Sequence, residues 1–191
     1  TDAVAMNKTK SAALYPVATY CPAGITTGNA APIFTDGFEN PDFATNWDIP
    51  SIGPNVWFRQ TRDGANFNNP KNGEYYAKWT HSTSSGVTTG ILEQKTAVAI
   101  PVGVNTYLRL EQDGYVEYYS TVSYDGMLVE YNVNGGPWLD ASPLYTSGMT
   151  YQGVIPVYYG NAYGGRKAFS HTIYYNPLVF NLSSLAFLRP K

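Results

Sequence analysis

An all-β fold of two packed antiparallel sheets is what this 191-residue sequence predicts, and three observations carry that expectation. From residue 33 onward, short β-favouring runs alternate with turn signals at the spacing of a sandwich or barrel. Nowhere in that region do about ten residues of helical periodicity stand between capping signals. The composition agrees: 14% of residues are charged, against roughly 25% in typical globular proteins, with 17 Tyr, 18 Gly and 13 Pro. Such a chain is rich in turns and suits an extracellular setting.

The strand candidates follow in order as "NVWFRQT", "EYYAKWT", "GILEQKTAVAI", "TYLRLEQ", "YVEYYSTV", "MLVEYNV", "TYQGVIPVYY", "FSHTIYY" and "PLVFNL". Within "YDGMLVEYNVNGGPW", Met127, Val129, Tyr131 and Val133 alternate with Leu128, Glu130 and Asn132, so one face is expected in the core and the other in water. Asn134 and Gly135 tolerate positive φ, as a type I′ hairpin turn requires, and Trp138 should fall on the returning strand. Trp57, Tyr76, Trp79, Tyr107, Tyr119, Tyr131 and Phe180 are the aromatics expected between the sheets. No repeat of roughly 20 to 50 residues is visible, which argues against propellers and solenoids.

Residues 1–32 differ from the rest. They are rich in Ala, Thr, Gly and Pro, lack sustained periodicity, and read as a linker or extended arm, with the sandwich over 33–191. Within the arm, "AALYPVATY" is a short apolar run whose Leu14, Tyr15, Val17 and Tyr20 would add as a strand to a sheet edge, its own or a neighbour's. Pro16 removes one ladder donor from such a strand. Cys21 lies alone in this segment and has no internal disulfide partner; it is an unpaired thiol or an intermolecular bridge.

Charge excludes some partners. The net charge is −2 and the 12 Lys and Arg are scattered, so no basic stripe is available to neutralise phosphates, and nucleic acid is not expected. No apolar run approaches the roughly 20 residues that span a bilayer. The Thr1 start shows no basic stretch leading into an apolar one, so a secreted protein would be numbered here from its mature start.

Catalytic options are few. His81 and His171 stand outside any His-Glu-x-x-His helix or Gly-x-Ser-x-Gly elbow, which leaves zincin and hydrolase chemistry without its motif. Glu111, Asp113, Glu117 and Glu130 sit on neighbouring candidate strands and either converge as glycosidase carboxylates do or line a wet sheet face. In "FTDGFEN", Asp36, Glu39 and Asn40 place hard oxygen ligands around a glycine, as a Ca²⁺ loop does; a plain turn entering the first strand needs the same residues. The Asp/Asn-rich stretch 61–73 is a second loop able to cap a ligand or simply connect strands.

"IFTDGFEN", "NWDI", "NVWF", "YDGMLVEYNVNGGPWLDA", "YQGVIPVYYGNAYGGRKAFS" and "NPLVFNLSSLA" occur in the order found in the MAM-like, carbohydrate-binding-module-like jelly-roll domains of bacterial secreted proteases and surface proteins. The chain resembles that family over 33–186. The resemblance implies a two-sheet jelly roll, usually non-catalytic, with structural Ca²⁺ near Asp36 and Glu39 and an accessory role in binding a glycan or protein surface outside the cell. Two departures stand out. The chain ends in "FLRPK" where the family continues into a further strand, and nothing in the family accounts for residues 1–32. An arm beside a shortened end is also what a self-assembling fibre subunit needs, its arm donating a strand to a neighbour.

Overall fold

A computed structural model describes residues 9–10, 32–50, 57–61, 73–79, 88–116, 118–119, 122–157 and 161–187. Leu14, Tyr15, Val17, Tyr20, Cys21, His81, Glu117 and most of the 61–73 loop lie outside these residues. The described residues are all-β, with short 3-10 turns at Phe43–Thr45, Ser142–Leu144 and Ser183–Phe187 as their helical elements. The strands are β1 (Thr9–Lys10), β2 (Trp47–Asp48), β3 (Trp57–Thr61), β4 (Tyr75–Trp79), β5 (Glu93–Gln94), β6 (Tyr107–Val116) and β7 (Tyr118–Tyr119). After these come β8 (Val122–Ser123), β9 (Glu130–Tyr131), β10 (Leu139–Asp140), β11 (Tyr145–Ser147), β12 (Gly153–Val154), β13 (Lys167–Ala168) and β14 (His171–Asn181).

Every ladder is antiparallel. Two three-stranded sheets, β1-β4-β3 and β11-β14-β6, are joined by four ribbons, β2-β5, β7-β8, β9-β10 and β12-β13. The architecture is thus several small sheets among the described residues, finer-grained than the two sheets expected. Of "GILEQKTAVAI", for example, Glu93–Gln94 alone enters a named ladder.

"FSHTIYY" and "PLVFNL" turn out to be one strand, β14, running through Pro177. Its register against β6 slips by one between Ile173 and Asn176, so Tyr174 and Tyr175 together oppose Asp113 in a bulge. Beyond the bulge Pro177 sits opposite Glu111. On the other side β11 pairs with β14 at Phe180 and Val179, and Gly148, at φ 110°, lies so close to the Pro177 carbonyl that a Cβ would come within 2.0 Å of its oxygen. Pro177 therefore falls just past the end of the β11 ladder, where a missing N–H leaves no rung broken.

The segment 1–32 contributes β1, whose Thr9 and Lys10 pair with Trp79 and Lys78 of the same chain. Two apolar clusters fill the interior. Val116, Ala141, Phe169, Leu178 and Phe180 form one, with Leu108, Leu110, Met127, Val129 and Tyr131 packed against it. Phe38, Trp47 and Ala77 form the other, with Phe34, Phe43, Trp57, Tyr75 and Leu92 around them. Of the aromatics expected inside, Tyr76, Trp79 and Phe180 are buried, while Trp57, Tyr107 and Tyr131 are half-buried.

Glycine matters most at Gly126. Met127 and Phe169 exchange backbone hydrogen bonds of 2.9 and 3.0 Å, and this contact brings Gly126 so near the neighbouring strand that a Cβ would sit 2.5 Å from the Ala168 Cβ and 2.7 Å from Ile155 Cγ1. The Asp125-Gly126 pair thus serves close packing. Gly126→Val is expected to lose about 1–3 kcal/mol in denaturant melts, the usual result of overpacking a tight core. A loss within error would mean that the two segments separate without cost.

Candidate functional site

The site begins with the hairpin of "YDGMLVEYNVNGGPW". Met127, Val129 and Tyr131 face the core as the alternation predicts. Asn134 and Gly135 have φ of 54° and 72°, and the Gly136 N–H donates to the Val133 carbonyl at 2.9 Å, the closure of a two-residue turn with both central residues left-handed. An unbroken ladder from that turn would place Trp138 opposite Tyr131. The structure instead pairs Leu139 with Tyr131 and Asp140 with Glu130, one residue out of step. Pro137 has no N–H to give the ladder, so the returning strand carries an extra residue beside the turn. A slip of one reverses the face of every following side chain. Trp138 is consequently turned outward, 48% exposed, and Asp140 stands across from Glu130; Leu139, although it lies opposite the core-facing Tyr131, is 44% exposed.

Those two carboxylates receive Arg166. Its Nη1 donates to Glu130 Oε1 at 2.6 Å and its Nη2 to Asp140 Oδ2 at 3.0 Å. Arg166 comes from the loop between β12 and β13, folded by Asn161, whose Oδ1 accepts from the Tyr163 N–H and whose carbonyl accepts from Gly164. Gly165 turns the chain at φ 83° and donates to the Ile155 carbonyl at 2.7 Å. The guanidinium also lies 5.5 Å from the Tyr163 ring centre, a cation–π distance.

Asp140 has further partners. The Ser142 N–H donates to its Oδ1 at 2.8 Å, and the Tyr151 hydroxyl lies 3.4 Å from the same oxygen. Burial works against the ionised Asp140 carboxylate, but the Ser142 and Arg166 hydrogen bonds together outweigh it and hold the pKa below its ordinary value of 3.8. Burial dominates at Tyr151, aided by the Asp140 charge and opposed by the Val129 N–H, and pushes the phenol up to about 12. That N–H donates to the Tyr151 oxygen at 3.3 Å, and the ring packs edge-on against Phe169 with centroids 4.5 Å apart.

The sequence left Glu130 with Glu111, Asp113 and Glu117 as either converging carboxylates or charges on a wet sheet face. Here Glu111 and Asp113 are buried in β6, Glu111 paired with Arg109, whereas Glu130 belongs to Arg166. The backbone of His171 opens β14, paired with Val116. Arg166, Asp140 and Tyr151 escaped notice as a group. Pro137 was the available signal, since a proline directly after a tight turn foretells a register slip.

The "FTDGFEN" loop is held by N–H donors. Asp36, 9% exposed, accepts at Oδ1 from the Phe38 N–H (2.6 Å) and at Oδ2 from Asn46 Nδ2 (2.9 Å) and Trp47 Nε1 (2.8 Å). Glu39 Oε1 accepts from the Glu74 and Tyr75 N–H groups at 3.0 and 3.2 Å. This approach needs Gly73, at φ 78°, since a Cβ there would lie 2.1 Å from the same oxygen. Asn40 Oδ1 takes the Asp42 N–H at 3.0 Å. Arg59 closes the loop from β3, donating to the Phe38 and Glu39 carbonyls at 2.6 and 2.7 Å while its guanidinium stacks 3.1 Å from the Tyr75 ring centre. Phe38, buried at φ 61°, is held in a conformation that bulky residues resist.

In this conformation the oxygens of Asp36, Glu39 and Asn40 turn to three different sets of donors, which does not fit one Ca²⁺ ion held by all three. Among the described residues no three His, Cys, Asp or Glu side chains are grouped to hold a metal.

Two outcomes follow for the Arg166 cluster. Because the folded Asp140 pKa is depressed, its contribution to stability is present above the ordinary value of 3.8 and is lost as pH falls through the folded value. Wild type should therefore lose stability on that acid limb, and Asp140→Asn should flatten it; an unchanged limb would contradict the assignment. Arg166→Met is expected to destabilise the chain by about 1–3 kcal/mol at neutral pH, the range for losing hydrogen bonds between charged, partly buried groups. No family model matches the chain, and no curated protein and no solved structure matches it.

Proposed function

We propose that the chain is a non-catalytic β-sandwich module of jelly-roll type, secreted or held at a cell surface, that binds a neutral glycan on the face carrying Trp138. The observation that carries this reading is the exposure of Trp138 and Leu139 directly before Asp140, whose carboxylate is hydrogen-bonded into the Arg166 cluster. A flat indole face stacks on the C–H face of a pyranose, and neighbouring hydrogen-bonding groups fix its orientation. Glu130 and Asp140 against Arg166 leave one formal negative charge, which disfavours anionic polymers.

The protonation states support binding over catalysis. A general acid or base works best with its pKa near the operating pH. Here Asp140 is pushed further into its ionised form, and Tyr151, at about 12, is fixed in its neutral form. Both groups are settled rather than poised.

Calcium stiffening is the part of the reading that the loop geometry supports least, and a titration decides it. Asp36→Asn is expected to lose about 1–3 kcal/mol through its hydrogen bonds alone. That loss should be the same in Ca²⁺ and in EDTA. A thermal midpoint that rises with Ca²⁺ in wild type but not in Asp36→Asn would instead establish the metal.

A second reading, a self-assembling fibre subunit, has one observation in its favour: β1 comes from the N-terminal segment and adds to the edge of β4, so exchange between copies would preserve the ladder. Both readings meet one experiment. The purified chain is tested against a panel of neutral and acidic polysaccharides by affinity electrophoresis, with light scattering for its mass. The glycan reading expects retardation by a neutral polymer, no turnover, and at least about a tenfold weaker affinity in Trp138→Ala, the usual loss at an aromatic anchor. Equal binding by Trp138→Ala, or no binding across the panel, would overturn it; filaments would favour the subunit.

A further inference from the structure

We propose that Asn134 is a site of spontaneous deamidation, and that its conversion remodels the hairpin that presents Trp138. The bond-forming step is attack of the Gly135 backbone nitrogen on the Asn134 side-chain carbonyl carbon. The amide nitrogen of that side chain leaves as ammonia, carrying the proton lost by Gly135, and a five-membered succinimide remains. Water then opens either carbonyl, giving aspartate or isoaspartate at position 134. No oxidant or co-reactant beyond water is needed.

Three features single out this bond. The residue after Asn134 is glycine, and a Cβ placed on it would meet nothing within 4 Å, so the nucleophile is open on that side. Both residues are exposed at the tip of the connection between β9 and β10. The backbone hydrogen bond from Gly136 to Val133 closes the turn, and Pro137 next to it has no N–H to donate, so little backbone pairing beside the tip resists the opening that the attack needs.

Asn72 also precedes a glycine but lies outside the described residues; among the described residues the other candidates are hindered. Asn40 is exposed but precedes Pro41, whose nitrogen carries no hydrogen to lose. Asn105 is exposed but precedes β-branched Thr106, which crowds the attack. At the Asp36-Gly37 pair the side chain is a carboxylate, which has no amide nitrogen to lose as ammonia, and Asp113 is likewise a carboxylate and is buried in β6.

The consequence is twofold. Either product adds a carboxylate to the connection that joins Glu130 to Asp140, and isoaspartate also lengthens the turn backbone by one methylene. A longer turn disturbs the register that sets Asp140 across from Glu130 and Trp138 outward. The effect on binding rests on the glycan reading above; the chemical conversion does not.

The test follows the intact chain during incubation at mildly alkaline pH and body temperature, with peptide mapping over time. The expected result is a gain of about 1 Da in the peptide containing Asn134, with isoaspartate detected by isoaspartyl methyltransferase labelling, before any change at Asn105 or Asn40. The isoaspartate fraction, separated by ion exchange, should melt below Asn134→Asp, which carries the same charge on a normal backbone. Conversion at Asn134 no faster than at Asn105 would overturn the proposal. So would an isoaspartate form that melts together with Asn134→Asp, since the turn would then be indifferent to the added methylene.

Discussion

Arg166 is the interaction on which one end of the molecule depends, because it ties together two elements that have little stability alone. A two-stranded ribbon is marginal in water. The β9-β10 and β12-β13 ribbons have two paired positions each, and the fork from Arg166 to Glu130 and Asp140 spans them. Met127 adds a backbone bridge to Phe169, and Tyr151 adds a hydroxyl between the Val129 N–H and Asp140. The charges are partly exposed, with side-chain accessibilities of 29% for Arg166, 23% for Glu130 and 31% for Asp140. They escape most of the penalty of full desolvation while keeping shared hydrogen bonds.

The other end obeys the same logic with different chemistry. Asp36 accepts from a backbone N–H, an amide and an indole, Glu39 reaches the start of β4, and Arg59 returns from β3 to the loop carbonyls. Each link joins segments that short ladders leave apart. Asp36, Glu39, Glu130 and Asp140 all act as acceptors that splice small β elements. A loop whose composition suits Ca²⁺ equally suits that purpose, because both demand clustered oxygens beside tight turns.

How much of this was legible in the sequence depended on the range of the signal. The alternation located Met127, Val129 and Tyr131 on the core face, and Asn134-Gly135 adopts the positive φ its residue types favour. Those are local properties. Asn176-Pro177 read as a break, yet β14 runs through it because the β11 ladder has ended there, a fact of tertiary pairing that no single strand encodes. Similarly, the Arg166 cluster depends on a register slip at Pro137 and on a loop roughly thirty residues later in the chain, so its members looked unrelated in sequence. The length of each sheet was least readable: "GILEQKTAVAI" has strong β propensity, but ladder formation needs a partner as well as a preference.

The central claim is that Arg166 and Asp140 act as a coupled pair across the two ribbons. A double-mutant cycle with Arg166→Met and Asp140→Asn, read by urea denaturation at neutral pH, measures that coupling directly. A coupling energy of about 0.5–3 kcal/mol is predicted, the range for residues that share a charged network. Losses that simply add, within about 0.3–0.5 kcal/mol, would contradict the account and leave the ribbons held by apolar packing alone.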